Sequence, residues 1–209
     1  MRIIAFNGSP RKNWNTYMLL NEVLKGAESK GAEVELINLY DLTYKGCTSC
    51  FACKLRGNTV EQCTIKDDLF PVLGKIRKSD AIILGSPIYF GCVTGEMRSL
   101  MERLFFPYIS YDGKPPSFGK KIKTAFIYTM NATESDLPGY NKMFSDNEKI
   151  LERLLGKSET LISTETYQFD DYSKYAASRF DSKQRAARHE TIFKEDCKKA
   201  FELGERLTI

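Results

Sequence analysis

The sequence contains one histidine in 209 residues, and it has no long apolar run and no dense block of basic residues. Its longest apolar stretches, such as 81–84, are far shorter than a membrane-spanning helix. The net charge of +4 arises from lysines and arginines interleaved with acids, which is typical of a solvated surface and not of a nucleic-acid-binding stripe. Met1 to Ile3 lead into a predicted strand without a signal peptide. We therefore expect a cytoplasmic protein with no nucleic-acid or membrane partner.

The residue patterns of hydrolases and of common nucleotide loops are also missing. The sequence has no serine-histidine-acid arrangement and no paired-carboxylate motif, and no cysteine or carboxylate pattern around His189 is typical of a metal site. We expect a surface or packing role for that histidine. Because Gly8 is the only glycine of the first turn, neither a P-loop nor a dinucleotide fingerprint is present there.

A polar turn between a strand and a helix stands in that position instead. After the apolar run 3–6, the sequence Asn-Gly-Ser-Pro-Arg leads through Asn15 and Thr16 into helical spacing. Hydroxyls, amides, Arg11 and the free N–H groups of a helix N-terminus together suit a phosphate monoester. The turn therefore predicts a mononucleotide phosphate cup, with a flavin as the leading interpretation. The alternative is an ordinary turn in which Ser9 or Asn15 caps the helix and Arg11 is solvated.

Strands and helices alternate along the chain. Apolar runs bounded by turn residues predict five strands, at 3–6, 34–37, 81–84, 124–129 and 160–167. Helical spacing predicts helices at 20–27, at 69–76 with Asp67 or Asp68 as its cap, at 93–106, and a long closing helix from about Ser182. Continuous apolar strands that alternate with helices indicate a parallel sheet covered by helices on both faces. We expect one domain over 1–209, with a cysteine-rich insertion at 45–66 and a long loop at 108–123 that acts as a lid or an interface arm.

Ligands bind such sheets beyond the carboxyl ends of the strands, where the strand order reverses. The loops after the first, third and fourth predicted strands should therefore converge. In the loop after the third strand, Tyr89 and Phe90 offer apolar faces for a flat ring, Pro87 stiffens the turn and Gly91 permits close backbone approach. Packing is the alternative role for these two aromatic residues. The loop after the fourth strand, 129–133, adds small polar residues to the same crevice.

The spacing of four of the six cysteines indicates a metal centre. Cys47, Cys50 and Cys53 lie at intervals of three, and residues 54–62 separate them from Cys63. Thiols in this arrangement can surround a [4Fe-4S] cluster, because cluster irons are held mainly by cysteine thiolates. Free or redox-active thiols remain an alternative, as does zinc, although paired spacings suit zinc better.

Three further residues have less specific interpretations. Cys92 follows Gly91 and should lie near the crevice, although a small buried hydrophobe is the commoner role for a lone cysteine. Cys197 falls on the apolar stripe of the closing helix and is expected in the core. Trp14 either shields the ligand, contacts a neighbouring subunit or packs at the surface.

Together these motifs resemble those of the NADPH-dependent FMN reductase and iron-sulfur flavoprotein family. The resemblance rests on Asn-Gly-Ser-Pro-Arg-Lys at 7–12 with Asn15 and Thr16, and on Gly-Ser-Pro-Ile-Tyr-Phe-Gly at 85–91. It covers most of the chain up to about Thr133. It implies a flavodoxin-like fold, a doubly wound five-stranded parallel sheet in the order 2-1-3-4-5. It also implies bound FMN and a homodimer or homotetramer in which a neighbouring subunit helps enclose the flavin.

The same resemblance assigns site residues by position. The residues expected to hold the phosphate are Ser9, Arg11, Asn15 and Thr16, and those expected to flank the ring are Pro87, Ile88, Tyr89, Phe90 and Gly91. Asn131 and Thr133 are placed in the crevice by topology alone. A compact cysteine run binds a cluster beside the flavin in iron-sulfur flavoproteins, and Cys47, Cys50, Cys53 and Cys63 resemble it with a longer final spacing.

We therefore expect an FMN-dependent oxidoreductase that NAD(P)H reduces and that passes electrons to a small-molecule or protein acceptor. No catalytic acid, base or nucleophile is expected, because the flavin carries the chemistry. One alternative is an iron-sulfur flavoprotein that carries electrons between protein partners such as ferredoxin. Another is a thiol-based redox sensor or scaffold without flavin.

Overall fold

A parallel sheet forms the centre of the molecule. The computed structural model describes residues 1–57, 62–112 and 118–209. The parallel strands are β1 (Arg2–Asn7), β2 (Glu33–Asn38), β3 (Ala81–Tyr89), β5 (Lys123–Thr129) and β6 (Ser158–Ser163), and β4 (Cys92–Val93) pairs antiparallel with the end of β3. The spatial order is β2-β1-β3-β5-β6, with β4 off this path. Without the short β4, this is the predicted flavodoxin-like order, which confirms the expected fold class.

Helices cover both faces of the sheet, as the alternation of elements predicts. The helices are α1 (Asn15–Ser29), α2 (Leu69–Lys78), α3 (Gly95–Phe105), α4 (Asn141–Leu154), α5 (Ser182–Glu190) and α6 (Ile192–Leu207). Helices α1 and α6 pack on the face that carries Ile3 and Ala5. Helices α2, α3 and α4 pack on the opposite face, which carries Ile4 and Phe6. The core therefore has two layers, because successive side chains of a strand point to opposite sides.

Burial explains which strands are easiest to read from the sequence. Nearly all residues of β1 and β5 are buried, and so are the first six residues of β3. These strands have helices on both faces and read as continuous apolar runs. The edge strands β2 and β6 are only partly buried, and polar residues interrupt their sequences.

The fifth predicted strand extends too far in the sequence-based prediction. Strand β6 ends at Ser163, whereas the prediction continues to residue 167. Glu165 has a φ of +49°, and the N–H of Thr166 donates to the carbonyl of Met130 at 3.0 Å. The chain therefore leaves the sheet after Ser163 and crosses the end of β5.

The single closing helix predicted from Ser182 is also wrong, because the chain forms α5 and α6 with a break at Thr191. Thr191 has φ −118° and ψ −80°, and its hydroxyl donates to the carbonyl of Ala187 at 2.8 Å. A side-chain bond of this kind competes with the backbone ladder of the helix. Helix α3 starts two residues later than predicted, because Val93 belongs to β4. Helix α4 is not among the predicted helices.

Two predicted segments are only partly described. The cysteine-rich insertion at 45–66 includes 58–61, and the loop at 108–123 includes 113–117, which lie outside the described residues. Within the residues that are described, no helix is both long enough and apolar enough to cross a membrane.

Candidate functional site

The turn after β1 is shaped by its own side chains. The Oδ1 atom of Asn7 accepts the N–H of Ser9 at 3.1 Å, and the Oγ atom of Ser9 accepts the N–H of Arg11 at 3.1 Å. The amide of Asn7 also donates to Asn38 Oδ1 at 3.0 Å. Short polar side chains thus replace regular backbone pairing and bend the chain toward α1.

Helix α1 begins beside this turn with an open N-terminus. Trp14 is its N-cap residue, and among the described residues no side-chain cap bonds there. The side chains of Asn15 and Thr16 are buried, and the Thr16 hydroxyl lies 2.7 Å from the hydroxyl of Thr129 on β5. The first amide groups of a helix have no partner within the helix and carry its positive dipole end. Since no acidic residue stands in the first turn, this end suits an anion.

A threonine joins this turn to the loop after β3. The N–H of Gly8 donates to the carbonyl of Gly85 at 2.7 Å. The hydroxyl of Thr94 donates to the carbonyl of Gly8 at 2.7 Å and accepts the N–H of Met97 at 3.3 Å, which makes Thr94 the N-cap of α3. Thr94 is 1% exposed. The relative position of the two loops is therefore fixed by buried hydrogen bonds.

The loop after β3 is a tight hairpin. Tyr89 pairs with Cys92, and the two residues between them, Phe90 and Gly91, have φ values of +51° and +81°. Two successive positive φ values are typical of the two-residue hairpin turns that match the twist of a sheet. Phe90 is 108% exposed, so its ring projects from the tip into solvent. Cys92 is exposed in the same hairpin, and its interpretation as a buried hydrophobe is wrong.

Both loops line one groove of about 230 Å³ at the carboxyl ends of the strands. Its walls contain eight of the eleven predicted ligand-binding residues, namely Ser9, Arg11, Asn15, Thr16, Pro87, Ile88, Tyr89 and Asn131. Phe90 and Gly91 lie at the hairpin tip next to it. Thr133 instead caps the short 3-10 helix Glu134–Gly139 through a reciprocal pair of bonds with Asp136. The Asn131 Oδ1 atom is buried and has no hydrogen-bond partner among the described residues.

The segment after β6 supplies a wall that the sequence-based prediction missed. Thr166 and Gln168 line the groove. The Arg11 Nη1 atom donates to the carbonyl of Gln168 at 2.6 Å, and the side chains of Trp14 and Asn15 both donate to the carbonyl of Tyr167 at 2.8 Å. The polar run that follows β6 resembles the one that follows β5, and that repetition is the signal that could have identified it.

The four cysteines of the predicted metal centre line a second, much smaller cavity of about 10 Å³, which is room for roughly one water molecule. Cys63 is buried, Cys47 and Cys53 are partly buried, and Cys50 is exposed on the solvent side. Ser49 and Phe51 have φ values of +53° and +56°, so left-handed residues flank Cys50.

Helix α3 carries this cysteine segment along its length. The Tyr44 hydroxyl donates to the carbonyl of Glu96 at 2.7 Å, and the N–H of Cys47 donates to Glu102 Oε2 at 3.1 Å. The Lys54 ammonium donates to the carbonyls of Phe106 at 2.5 Å and Pro107 at 3.0 Å. The segment is therefore attached to the helix that follows the Tyr89 hairpin.

Burial changes the ionisation of two groups in this segment. It raises the pKa of the Cys53 thiol, although the charge of Lys54 opposes part of this shift. It lowers the pKa of the Lys54 ammonium. Both shifts disfavour the charged form, as expected where water is excluded.

The cysteines are not arranged around a single ion. Among the described residues, which include all four, no group of three or more His, Cys, Asp or Glu side chains is placed to hold one metal ion. A zinc ion would need sulfur atoms at about 2.3 Å from one point. In a four-iron cluster each thiolate binds a different iron, so the sulfur atoms surround a body instead. The all-thiol donor set therefore fits a cluster, and the four side chains would have to move apart to admit one, because their shared cavity has room for about one water molecule.

Two residues outside the groove have packing roles. His189 stacks on Tyr167 and Phe193, with ring centroids 5.2 Å and 5.0 Å apart. Cys197 is partly buried on α6 and packs against the core of the α1–α6 face. Both placements agree with the predictions.

Comparisons with known proteins point to one family. The model of the family described as NADPH-dependent FMN reductase matches residues 1–133, which include both loops and the cysteine segment. An iron-sulfur flavoprotein of Methanocaldococcus jannaschii is 41% identical over 103 residues, which are 49% of this chain and 51% of that protein. One from Archaeoglobus fulgidus is 43% identical over 103 residues, 49% of this chain and 48% of that protein. The chain spans about half the length of these relatives.

A solved structure supports the architecture. The NAD(P)H:quinone oxidoreductase from Methanothermobacter marburgensis superimposes with a TM-score of 0.73 over 99% of this chain and 98% of its own. The two sequences are 15% identical, so the likeness concerns the fold alone.

Proposed function

Because the chain belongs to the NADPH-dependent FMN reductase family, we propose that it is an FMN-dependent oxidoreductase reduced by NADPH or NADH. One observation supports this proposal most strongly. The open N-terminus of α1 and the apolar hairpin after β3 line the same groove, at the carboxyl ends of the central strands. This is where a doubly wound sheet binds its ligand.

The phosphate of FMN fits the turn after β1. Ser9, Asn15 and Thr16 are buried polar residues beside the first turn of α1, and Arg11 supplies a positive charge at the rim. An anion there would occupy the amide groups that no side chain caps, and charge-assisted hydrogen bonds of this kind are the strong ones. Because Arg11 and Asn15 already donate to the segment 167–168, a bound phosphate would share these donors with it.

The ring of FMN fits the other half of the groove. Pro87, Ile88 and Tyr89 line this half, and the hairpin tip of Phe90 and Gly91 lies next to it. Asn131 lies on the facing wall, and its buried Oδ1 atom lacks a partner among the described residues.

FMN, when bound, supplies hydride and single-electron transfer. The residues of the chain bind it, orient one ring face toward the crevice and exclude water from the other. No side chain is required to act as an acid or a base, and His189, which stacks on Tyr167, is not among the residues that line the groove.

A second candidate function is that of an electron carrier between proteins, with a [4Fe-4S] cluster beside the flavin domain. The observation that favours it is the convergence of Cys47, Cys50, Cys53 and Cys63 on one cavity. These four residues would hold the cluster. A ferredoxin-like protein is the partner that this function requires.

We also propose that residues 1–209 form one flavin-binding domain, that the protein works in the cytoplasm, and that it assembles as a homodimer or homotetramer. The exposed rings of Tyr89 and Phe90 beside the groove favour assembly, because adjacent exposed aromatic residues are typical of interfaces. Sedimentation of the FMN-loaded protein tests this, and a monomer at micromolar concentration would contradict it.

The decisive experiment is anaerobic purification followed by an absorption spectrum, iron and acid-labile sulfide assays, and stopped-flow mixing with NADPH and NADH. Rapid bleaching of the flavin bands by either nicotinamide supports the oxidoreductase. Slow bleaching by both, with fast reduction by a ferredoxin, supports the carrier. A protein that takes up no FMN would contradict both functions.

A further inference from the structure

Arg103 on α3 forms several hydrogen bonds beside the cysteines. Its side chain is fully buried, yet it carries a charge. The two terminal nitrogens pair with both carboxylate oxygens of Asp67 and also donate to the carbonyls of Lys45 at 3.2 Å and Ile65 at 3.0 Å. The Nε atom donates to the sulfur of Cys63 at 3.2 Å. All five donors of the guanidinium group are therefore used.

These bonds join both ends of the cysteine segment to one point on α3. Lys45 precedes the first cysteine, and Ile65 and Asp67 follow the last. Asp67 also accepts the N–H of Leu69 at 3.2 Å, so that the start of α2 is held at the same place. The long separation between Cys53 and Cys63 leaves the position of Cys63 undetermined by local spacing. The bond from Arg103 fixes the position of the Cys63 sulfur instead.

The contact with sulfur has a chemical consequence. A thiol is a weak acceptor, whereas a thiolate or a metal-bound thiolate is a strong one. The bond from the buried guanidinium group to Cys63 is therefore of the kind that a metal-bound sulfur accepts most strongly. Hydrogen bonds to the sulfurs and net charge are among the factors that set the potential of an iron-sulfur cluster.

We propose that Arg103 is a positioning residue for a cluster held by the four cysteines: it holds Cys63 in place and, through its N–H···S bond, makes the cluster easier to reduce. This inference rests on the cluster that the second candidate function contains. The sign follows from the hydrogen bond, because reduction adds negative charge to the cluster and its sulfur atoms, and an N–H donor to sulfur stabilises the more negative state.

Lys54 provides a matched control. It is a partly buried cation in the same segment, and its contacts with described residues are backbone carbonyls and the rings of Phe106 and Tyr111. Lys54→Met removes a neighbouring charge but no bond to sulfur. Arg103→Lys keeps the charge but loses the planar fork, since an ammonium group cannot replace five fixed donors. Arg103→Met combined with Asp67→Asn removes the pair without leaving a partly buried carboxylate that has lost its partner.

The experiment compares these three variants with the wild-type protein after anaerobic reconstitution with iron and sulfide. Readouts are iron and sulfide per chain, FMN per chain, and the midpoint potential of the cluster from a spectroelectrochemical titration. We expect Arg103→Lys to retain FMN. The equilibrium constant for one-electron reduction of its cluster should fall at least tenfold, which corresponds to a midpoint potential lower by about 59 mV or more. The double variant should lose at least half of its iron while retaining FMN. Lys54→Met should lower the potential by less than Arg103→Lys does, because it removes a neighbouring charge but no donor to sulfur.

The possible outcomes distinguish the role of Arg103 from the presence of a cluster on the four cysteines. Wild-type protein that takes up no iron would contradict the cluster itself, and the role of Arg103 with it. Wild-type protein with four irons, together with Arg103 variants of unchanged iron content and potential, would overturn only the role of Arg103. A shift in Lys54→Met as large as that in Arg103→Lys would show that charge alone matters and would overturn the role of the N–H···S bond.

Discussion

Removal of the Thr94 hydroxyl is the perturbation whose cost the structure defines best. In Thr94→Val the carbonyl of Gly8 loses its donor and the N–H of Met97 loses its cap. Loss of an N-cap costs about 1 kcal/mol, and a buried carbonyl left without a partner costs about 1 to 3 kcal/mol. Together the two costs amount to about 2 to 4 kcal/mol. Because the cap bond is long at 3.3 Å and therefore weak, we expect the lower part of this range, a fall of about 2 to 3 kcal/mol in the free energy of unfolding.

Thr94→Ser is the matched control, since it keeps the hydroxyl and removes only a methyl group, at about 1 kcal/mol. Urea unfolding of the flavin-free proteins measures both, and the dependence on urea should have the same slope in each. Since Thr94 also aligns the two loops of the groove, Thr94→Val should weaken FMN binding at least tenfold more than Thr94→Ser. Equal stabilities of the two variants would refute the assignment of the buried bond to Gly8.

Three other perturbations have defined outcomes. Ser9→Ala with Asn15→Ala removes two charge-assisted bonds and should raise the Kd for FMN by about 100-fold or more, at about 1.5 kcal/mol or more for each bond. Riboflavin binding should be unchanged, and equal loss for both ligands would contradict the phosphate assignment. Gly204→Ala should lower the free energy of unfolding, measured in urea, by about 3 kcal/mol or more. The reason is that a Cβ atom at this position would lie 1.9 Å from the carbonyl oxygen of Val23. A variant as stable as the wild-type protein would contradict the close packing of α1 against α6. Burial raises the pKa of the Cys197 thiol from 9.0 to about 11. The contribution of the neutral thiol to stability is therefore complete below pH 9 and is lost as the pH rises through 11. The difference in Tm between the wild-type protein and Cys197→Ala should shrink over that range, and a constant difference would contradict the shift.

The central strands and the two motif loops follow directly from the sequence. Strands β1, β3 and β5 have helices on both sides and are therefore buried on both faces, which is why they appear in the sequence as continuous apolar runs. The turn after β1 and the hairpin after β3 carry their signal in adjacent residues, and topology brings them together. The strand order then places Asn131 on the same groove.

Other features depend on contacts that local sequence does not record. The wall formed by Thr166 and Gln168 arises because Arg11 and Asn15 bond to residues about 150 positions away along the chain. Arg103 reads as an exposed charge in the sequence, and only the surrounding carbonyls, Asp67 and Cys63 explain its burial. The polar sequence of α4 conceals its narrow apolar stripe of Phe144, Leu151 and Leu154.

The measurement that tests the central claim most directly is a titration of the flavin-free protein with FMN and, separately, with riboflavin, followed by quenching of flavin fluorescence. With the phosphate held at the open end of α1 by two or more charge-assisted bonds, FMN should bind one per chain and about 100-fold more tightly than riboflavin. Equal affinities for the two flavins, or no saturable binding of FMN, would contradict the account.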